Sequence, residues 1–313
     1  MRKNFTNLDL LSKFLELDEV QRRKLVSHPR FILNLPFRLA EKIKKKTLDD
    51  PIFKQFVPTL EEEEKAEGFV SDPVGDCNAR CGKKLLHKYK GRVLLVCSSA
   101  CVMHCRYCFR QNFDYEVNDK LFFEELAYIE SDPTIHEVIL SGGDPLSLSD
   151  ESLEDLLHRI NAIAHIRRVR FHSRFPIGIP ERISDRFVEI LSKLKLQIYF
   201  VIHSNHPREL GEDLFAALDR LRMIGVVVLN QSVLLKGIND DEETLAELCS
   251  ALSDRAVLPY YLHQLDRVQG AAHFEVPVSK GKKLIAALGA RLPGYAVPKY
   301  VQEIAGQPGK TPL

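Results

Sequence analysis

VLLVCSSACVMHCRYCFR, residues 93–110, opens on an apolar run and closes on three cysteines at C-x3-C-x2-C spacing. The run Val93–Val96 reads as a buried strand, and Cys101, Cys105 and Cys108 then fall on the loop that leaves it. A thiolate triplet on one short loop can hold three corners of an iron–sulfur cube. A fourth local cysteine is missing, so one iron keeps an open position, which an electron-transfer ferredoxin normally closes with a fourth Cys. An open iron suits binding and cleaving a substrate or cofactor. Two other readings stand beside this one. A zinc site prefers four protein ligands in paired C-x2-C spacings, and three unrelated buried cysteines need no ligand at all.

Downstream, short apolar runs recur at Val138–Leu140, Val169–Phe171, Ile198–Ile202, Val226–Leu229 and Leu258–Leu262. Amphipathic helices lie between them, with stripes Leu153/Leu156/Leu157/Ile160/Ile163, Ile183/Phe187/Ile190/Leu191/Leu194, Leu210/Leu214/Leu218/Leu221 and Leu245/Leu248/Leu252. Ser184 is a candidate N-cap. This alternation predicts βαβ units and a parallel sheet, hence an α/β fold. Six units are too few for a closed eight-stranded barrel, which leaves an open partial barrel or a doubly wound sheet. The cysteine loop directly after the first strand favours the partial barrel, whose chemistry sits at the C-terminal strand ends. The strands end in the cysteine loop, Ser141-Gly142-Gly143-Asp144, His172-Ser173-Arg174, His203-Ser204-Asn205-His206, Asn230-Gln231-Ser232 and His263-Gln264-Leu265-Asp266. Six polar endings in register predict one shared cavity.

The first 90 residues are charged and helical in pattern, with helices expected near 8–15, 19–27, 36–46 and 48–56 and a solvated acidic face at Glu61–Glu64. They read as an N-terminal helical appendage (1–90), followed by a barrel core (91–290) and a C-terminal segment (291–313). The 313 residues carry a formal net charge of +1, so charge makes no case for nucleic acid or a membrane as partner. No apolar run approaches the roughly 20 residues a spanning helix needs, and the acidic N-terminus is not a signal peptide. Seven cysteines, four of them between Cys97 and Cys108, are not a disulfide framework. A reducing cytoplasm is the expected location. Cys77, Cys81, Cys97 and Cys249 are expected to be structural or free thiols.

Gly142-Gly143 lets backbone approach a ligand, so that amides there could hold the amino and carboxylate groups of a methionine moiety; a tight turn explains the pair equally well. Arg110 suits a carboxylate held by two hydrogen bonds, or is a surface arginine. Asp266 and Glu303 together would suit an ammonium group, though singly such residues are usually solvated or capping. Lys310, in Gly306-Gln307-Pro308-Gly309-Lys310, is by its position a solvated tail residue; the other reading is a lysine that carries pyridoxal phosphate (PLP) as a Schiff base.

Tyr107 completes the pattern C-x3-C-x-aromatic-C, in which the chain resembles the radical S-adenosylmethionine (SAM) enzymes. Over LLHKYKGRVLLV (85–96), CVMHCRYCFR (101–110), SGGDPL (141–146), RFHSRFPIGIPERI (170–183), NQSVLLKGIND (230–240), PYYLHQLD (259–266), GAAHFEVPVSKG (270–281) and GYAVPKYVQEIAGQPGKTPL (294–313) it resembles the lysine 2,3-aminomutase family. YYLHQLDRVQGAAHF, HSRFPI and the ending GKTPL are most similar to the branch that makes (R)-β-lysine for elongation factor P. The resemblance implies a partial (β/α)6 barrel holding a [4Fe–4S] cluster, SAM and PLP. Cys101, Cys105 and Cys108 would ligate the cluster, Ser141, Gly142, Gly143 and Asp144 would hold SAM, and Lys310 would carry PLP. Lys88, Tyr89, Arg92 and Gln231 would contact PLP, with His203 over its ring. Arg110 would bind the α-carboxylate of L-lysine, and Asp266 with Glu303 its ε-ammonium.

The implied partners are an external electron donor, a downstream ligase acting on elongation factor P, and a second copy in a homodimer. Departures are also visible. Gln307 and Pro308 interrupt the family's glycine-rich run before the PLP lysine, Glu303 stands where lysine 2,3-aminomutases carry aspartate, and metal-linked assembly through a C-terminal zinc-binding extension is not expected. The alternatives are an aminomutase for glutamate or arginine, a radical SAM enzyme acting on a lysine within a protein, and a non-catalytic iron–sulfur or zinc protein.

Overall fold

The computed structural model describes residues 4–115 and 121–313. Its N-terminal segment pairs β1 (Asn4–Phe5) with β2 (Leu35–Pro36) and adds four short helices, α1 (Leu8–Phe14), α2 (Glu19–Arg22), α3 (Phe37–Glu41) and α4 (Pro51–Phe56). Asn7, Asp18 and Asp50 start α1, α2 and α4 by accepting from first-turn amides. Leu11, Leu15, Leu39, Phe53 and Phe56 then bury their side chains in the same hydrophobic core as the main sheet.

That sheet has ten strands: β3 (Arg80–Gly82), β4 (Leu85–Tyr89), β5 (Arg92–Ser98), β6 (Glu137–Gly142), β7 (Arg168–Ser173), β8 (Gln197–His203), β9 (Val227–Val233), β10 (Leu258–His263), β11 (Lys299–Gln302) and β12 (Thr311–Pro312). β5 to β11 run parallel, and β3, β4 and β12 are antiparallel flanks. The crossovers carry α5 (Phe123–Ser131), α6 (Asp150–Ala162), α7 (Phe175–Gly178), α8 (Asp185–Ser192), α9 (Glu212–Met223), α10 (Glu242–Ser253) and α11 (Val278–Arg291). Strand order equals chain order. Right-handed crossovers that all step the same way put the helices on one face and leave the other to curl around a cavity. The fold is therefore an open partial barrel, not a doubly wound sheet; β3 and β12 end it without pairing to each other.

All six expected strands are present, and Ser184 caps α8 by accepting from Phe187 N. Each predicted stripe faces the sheet, as with Leu153, Leu156, Leu157 and Ile160 of α6. Two findings differ from the sequence reading. The boundary drawn at residue 90 falls inside the β4–β5 hairpin, and residues 291–313 add β11 and β12 to the sheet. The acidic run at Glu61–Glu64 is not wholly solvated, because the Glu62 carboxylate pairs with the buried guanidinium of Arg106. Among the described residues no helix is long and apolar enough to cross a membrane.

Candidate active site

The concave face of the sheet encloses a cavity of about 620 Å³. Its wall follows the pleat, with alternate residues inward: Ile139 and Ser141 from β6, Arg170 and His172 from β7, Tyr199 and His203 from β8, and Tyr261 and His263 from β10. Each of the six polar strand ends sends at least one side chain into it. Cys101, Cys105, Cys108, Arg110, Asp266, Glu303 and Lys310 share this one space.

The cysteine loop is held from behind by the N-terminal segment. Asn34 donates to Cys101 O (3.0 Å), Asn4 to Val102 O (2.7 Å), and His104 N to Asn34 O (2.9 Å). Arg106 N donates to Gln55 O (2.9 Å), while its side chain reaches Glu62 and Phe31 O. Burial first, and then the neighbouring Cys105 sulfur, push the Cys108 thiol up to about 12. Behind burial and Asp144, the Cys108 and Cys105 sulfurs likewise raise Cys101, so the thiols lie close together, and buried thiols ionise only when a cation compensates them. Among the described residues no three His, Cys, Asp or Glu side chains close on a single metal ion. A cube carries its thiolates on separate irons and so holds them farther apart than one ion does. Three thiols facing one cavity, with no fourth protein ligand on their loop, fit a cluster with one open iron.

At the end of β6 the structure revises the reading of the glycines. Gly142 has φ +115°, and a Cβ there would meet Ser98 O at 2.6 Å; a Cβ on Gly143 would meet Ala100 O at 2.5 Å. What approaches them is the chain leading into Cys101. The Gly143 amide donates to Ser98 O (2.6 Å) and the Asp144 amide to Ala100 O (2.9 Å), so neither N–H is left for a ligand. The Asp144 carboxylate likewise turns to β7, accepting from Ser173 Oγ (2.8 Å), Arg174 N (2.9 Å) and Phe175 N (3.1 Å). Burial pushes it up to about 6 against those donors. Ser141 keeps its hydroxyl at the cavity, where it accepts from Arg110 Nη1 at 3.2 Å.

A chain of charges continues from there. Arg110 Nε donates to Asp76 Oδ2 at 2.7 Å, and Lys88 Nζ lies 2.6 Å from Asp76 Oδ1 and 3.5 Å from Glu303 Oε1. Glu303 also accepts from the Tyr89 hydroxyl and, at 2.8 Å, from Lys310 Nζ. Burial opposes ionisation of Asp76 and Glu303, but Arg110 and Lys88 outweigh it at the first and Lys310 at the second, and both carboxyls are held below the usual range. Asp76 gives no local sign in the sequence of its pairing with Arg110 and Lys88. Lys88, expected at PLP, lines the cavity and pairs there with two carboxylates. Asp266 accepts no side-chain hydrogen bond among the described residues, and burial pushes it up to about 7.

His203 accepts from Gln231 Nε2 at 2.7 Å, and burial pushes it down to about 3, so the ring is neutral. His172 and His263 each bury an Nε2 that has no partner among the described residues. Arg92 lies over the Tyr89 ring at 4.6 Å and has no carboxylate partner among the described residues. A primary amine at Lys310, an unpaired guanidinium at Arg92 and neutral polar edges at His203 and Gln231 are donor types that fit a phosphorylated pyridine aldehyde.

The sequence profile of the Radical SAM superfamily matches residues 95–249. The chain is 43% identical over 286 residues to the L-lysine 2,3-aminomutase of Escherichia coli, covering 90% of this chain and 83% of that one. It is 41% identical over 306 residues to the enzyme of the same name from Haemophilus influenzae, covering 96% and 90%. To that of Buchnera aphidicola it is 36% identical over 306 residues, covering 97% and 88%.

Proposed function

The chain belongs to the lysine 2,3-aminomutase family of radical SAM enzymes, and from that premise we propose that it moves the α-amino group of L-lysine to Cβ on PLP carried by Lys310. The product is (R)-β-lysine, destined for attachment to elongation factor P by a downstream ligase. The observation that carries this reading is the presence, in the same cavity as the three cysteines, of a lysine amine 2.8 Å from Glu303, with Asp266 beside them.

When bound, the cluster and SAM supply a carbon radical able to take a β-hydrogen, and PLP supplies a π-system that spreads the unpaired electron while nitrogen moves. The chain's own residues position and shield. Arg110 is fixed by Asp76 and Ser141 through Nε and Nη1, which leaves Nη2 for the substrate α-carboxylate. Asp266 takes the ε-ammonium, and Glu303 joins it once Lys310 has left it for PLP. Two acids at the far end of a cavity favour a cationic side chain and oppose glutamate, since like charges there cost several kcal/mol in low dielectric (about 4 kcal/mol at 4 Å and an effective dielectric constant of 20). Neutral His203 adds no positive charge to the cavity wall. The wall excludes water and side reactions.

An external one-electron donor is required by this chemistry. Reduced thiols at the site fit a cytoplasmic location. The resemblance of YYLHQLDRVQGAAHF, HSRFPI and GKTPL to the elongation factor P branch supports the product's enantiomer and destination. Borohydride treatment of the PLP-loaded protein, followed by peptide mapping, tests the anchor. The label is expected on Lys310 and absent in Lys310→Ala; label on another lysine overturns the assignment.

A further inference from the structure

Arg174, the residue that follows β7, is buried, and its guanidinium fork is engaged on two sides. Nη1 lies 2.8 Å from Cys105 Sγ and also donates to the Tyr107 hydroxyl. Nη2 donates to Gln55 Oε1 at 2.7 Å and to Glu209 Oε2 at 2.6 Å. The plane of the fork rests over the Phe56 ring at 4.6 Å. Glu209 is fully buried; its other oxygen accepts from Asn205 N and His206 N, both at 2.9 Å, and from Gln55 Nε2 at 3.1 Å. Asn205 Nδ2 closes the ring on the Tyr107 hydroxyl at 2.6 Å. Four separate parts of the chain, α4, the cysteine loop and the ends of β7 and β8, thus meet on one cation.

A buried ion pair of this kind adds little net stability over a well-packed apolar pair. What needs explaining is its direction. The carboxylate sits behind the fork on the Nη2 side, and the N–H of Nη1 points forward at a cysteine sulfur. The pair is a fixed dipole with its positive end on Cys105. Hydrogen bonds and positive charge at a cluster sulfur favour the reduced cluster, which carries one more negative charge.

We propose that Arg174 is a positioning residue for the cluster: it donates a hydrogen bond to the Cys105 sulfur and raises the cluster's reduction potential, while Glu209, Gln55 and Tyr107 hold its fork in place. The proposal rests on the assignment of the cluster to Cys101, Cys105 and Cys108. Tyr107, the aromatic residue between the last two cysteines, accordingly serves through its hydroxyl as well as its ring.

The test is a redox titration without SAM, following the reduced cluster by electron paramagnetic resonance in anaerobically reconstituted protein. Iron and sulfide contents are measured on each sample. Arg174→Gln is expected to lower the reduced-to-oxidised ratio at a given applied potential at least tenfold, which is 59 mV for one electron. Arg174→Lys should recover most of that loss. Glu209→Gln removes the opposing charge and should move the potential the other way. A merely structural role predicts no such reversal of sign. Arg174→Gln with full cluster content and an unchanged potential overturns the proposal. If Arg174→Gln fails to hold iron, the Glu209→Gln titration decides: an upward shift supports the proposal, and no shift or a downward one overturns it. A wild-type protein that binds no iron overturns the cluster assignment beneath it.

Discussion

Lys310 Nζ lies 2.8 Å from Glu303 Oε2, so the lysine expected to carry PLP is paired with an acid expected to hold the substrate's ammonium. Burial works to raise the Glu303 carboxyl, but Lys310 leads the groups that outweigh it and keep it ionised. Glu303→Gln removes the ion-pair partner that holds the Lys310 amine, and PLP capture at pH 7, followed by absorbance, should become several-fold faster. The same change should raise KM for lysine about tenfold, the effect of about 1.4 kcal/mol. An unchanged capture rate contradicts the coupling.

Asp266 couples function to pH in the opposite way from an ordinary surface acid. Burial raises it to about 7 in the fold, with Lys310 opposing and Glu303 adding, whereas an unfolded aspartate titrates near 3.9. The folded chain then binds more protons than the unfolded chain between about pH 4 and pH 7, and stability falls as pH rises through that window. Asp266→Asn should raise Tm at pH 8 by a few degrees, about 2–4 °C per kcal/mol recovered, and leave it unchanged near pH 3.5. Only ionised Asp266 attracts an ammonium, so wild-type KM for lysine should fall from pH 6 to pH 8 and that dependence should vanish in the variant. A variant with the same pH profile removes Asp266 from the substrate site.

Gly143 offers a steric test. A Cβ at that position stands 2.5 Å from Ala100 O and 2.8 Å from Ser99 O, backbone atoms that cannot move without shifting the cysteine loop. Gly143→Ala should therefore lose iron on reconstitution. Gly289, in α11, has nothing within 4 Å of the added Cβ, and Gly289→Ala should stabilise by roughly 0.5–1 kcal/mol through helix propensity with full iron content. Iron analysis and thermal melts separate the two.

Asn34 ties the N-terminal segment to the cysteine loop through Cys101 O, His104 N and Asn4. Asn34→Ala removes the two side-chain bonds, at a cost of about 1 kcal/mol each. The cluster of this variant should be released to a chelator measurably faster than in wild type, whereas equal release rates would show that the clamp does not bear on the loop.

The strands from β5 to β10 are legible in sequence because each is an apolar run buried on its outward face, as with Val138 and Leu140 or Val169 and Phe171. β11 is not, because Lys299-Tyr300-Val301-Gln302 is only four residues long and polar at both ends. The convergence of Cys101, Cys105, Cys108, Asp266, Glu303 and Lys310 on one cavity follows from the register of strand ends together with the family motifs. Asp76, Gln55 and Glu209 are hidden for a different reason. Their meaning lies in partners 34, 119 and 35 residues away, Arg110 for the first and Arg174 for the other two, and a lone polar residue at such a distance gives no local sign of its partner. Gly142-Gly143 was legible as a site of close approach; that it is the chain entering Cys101 that approaches becomes visible only in three dimensions.

Product analysis tests the function most directly. Anaerobically reconstituted protein is given SAM, PLP, a strong reductant and L-lysine, and the products are separated by chiral chromatography with mass detection. (R)-β-lysine is the expected product, formed by wild type and not by Lys310→Ala. Cleavage of SAM in a cluster-loaded sample with no β-lysine of either hand would contradict lysine as the substrate.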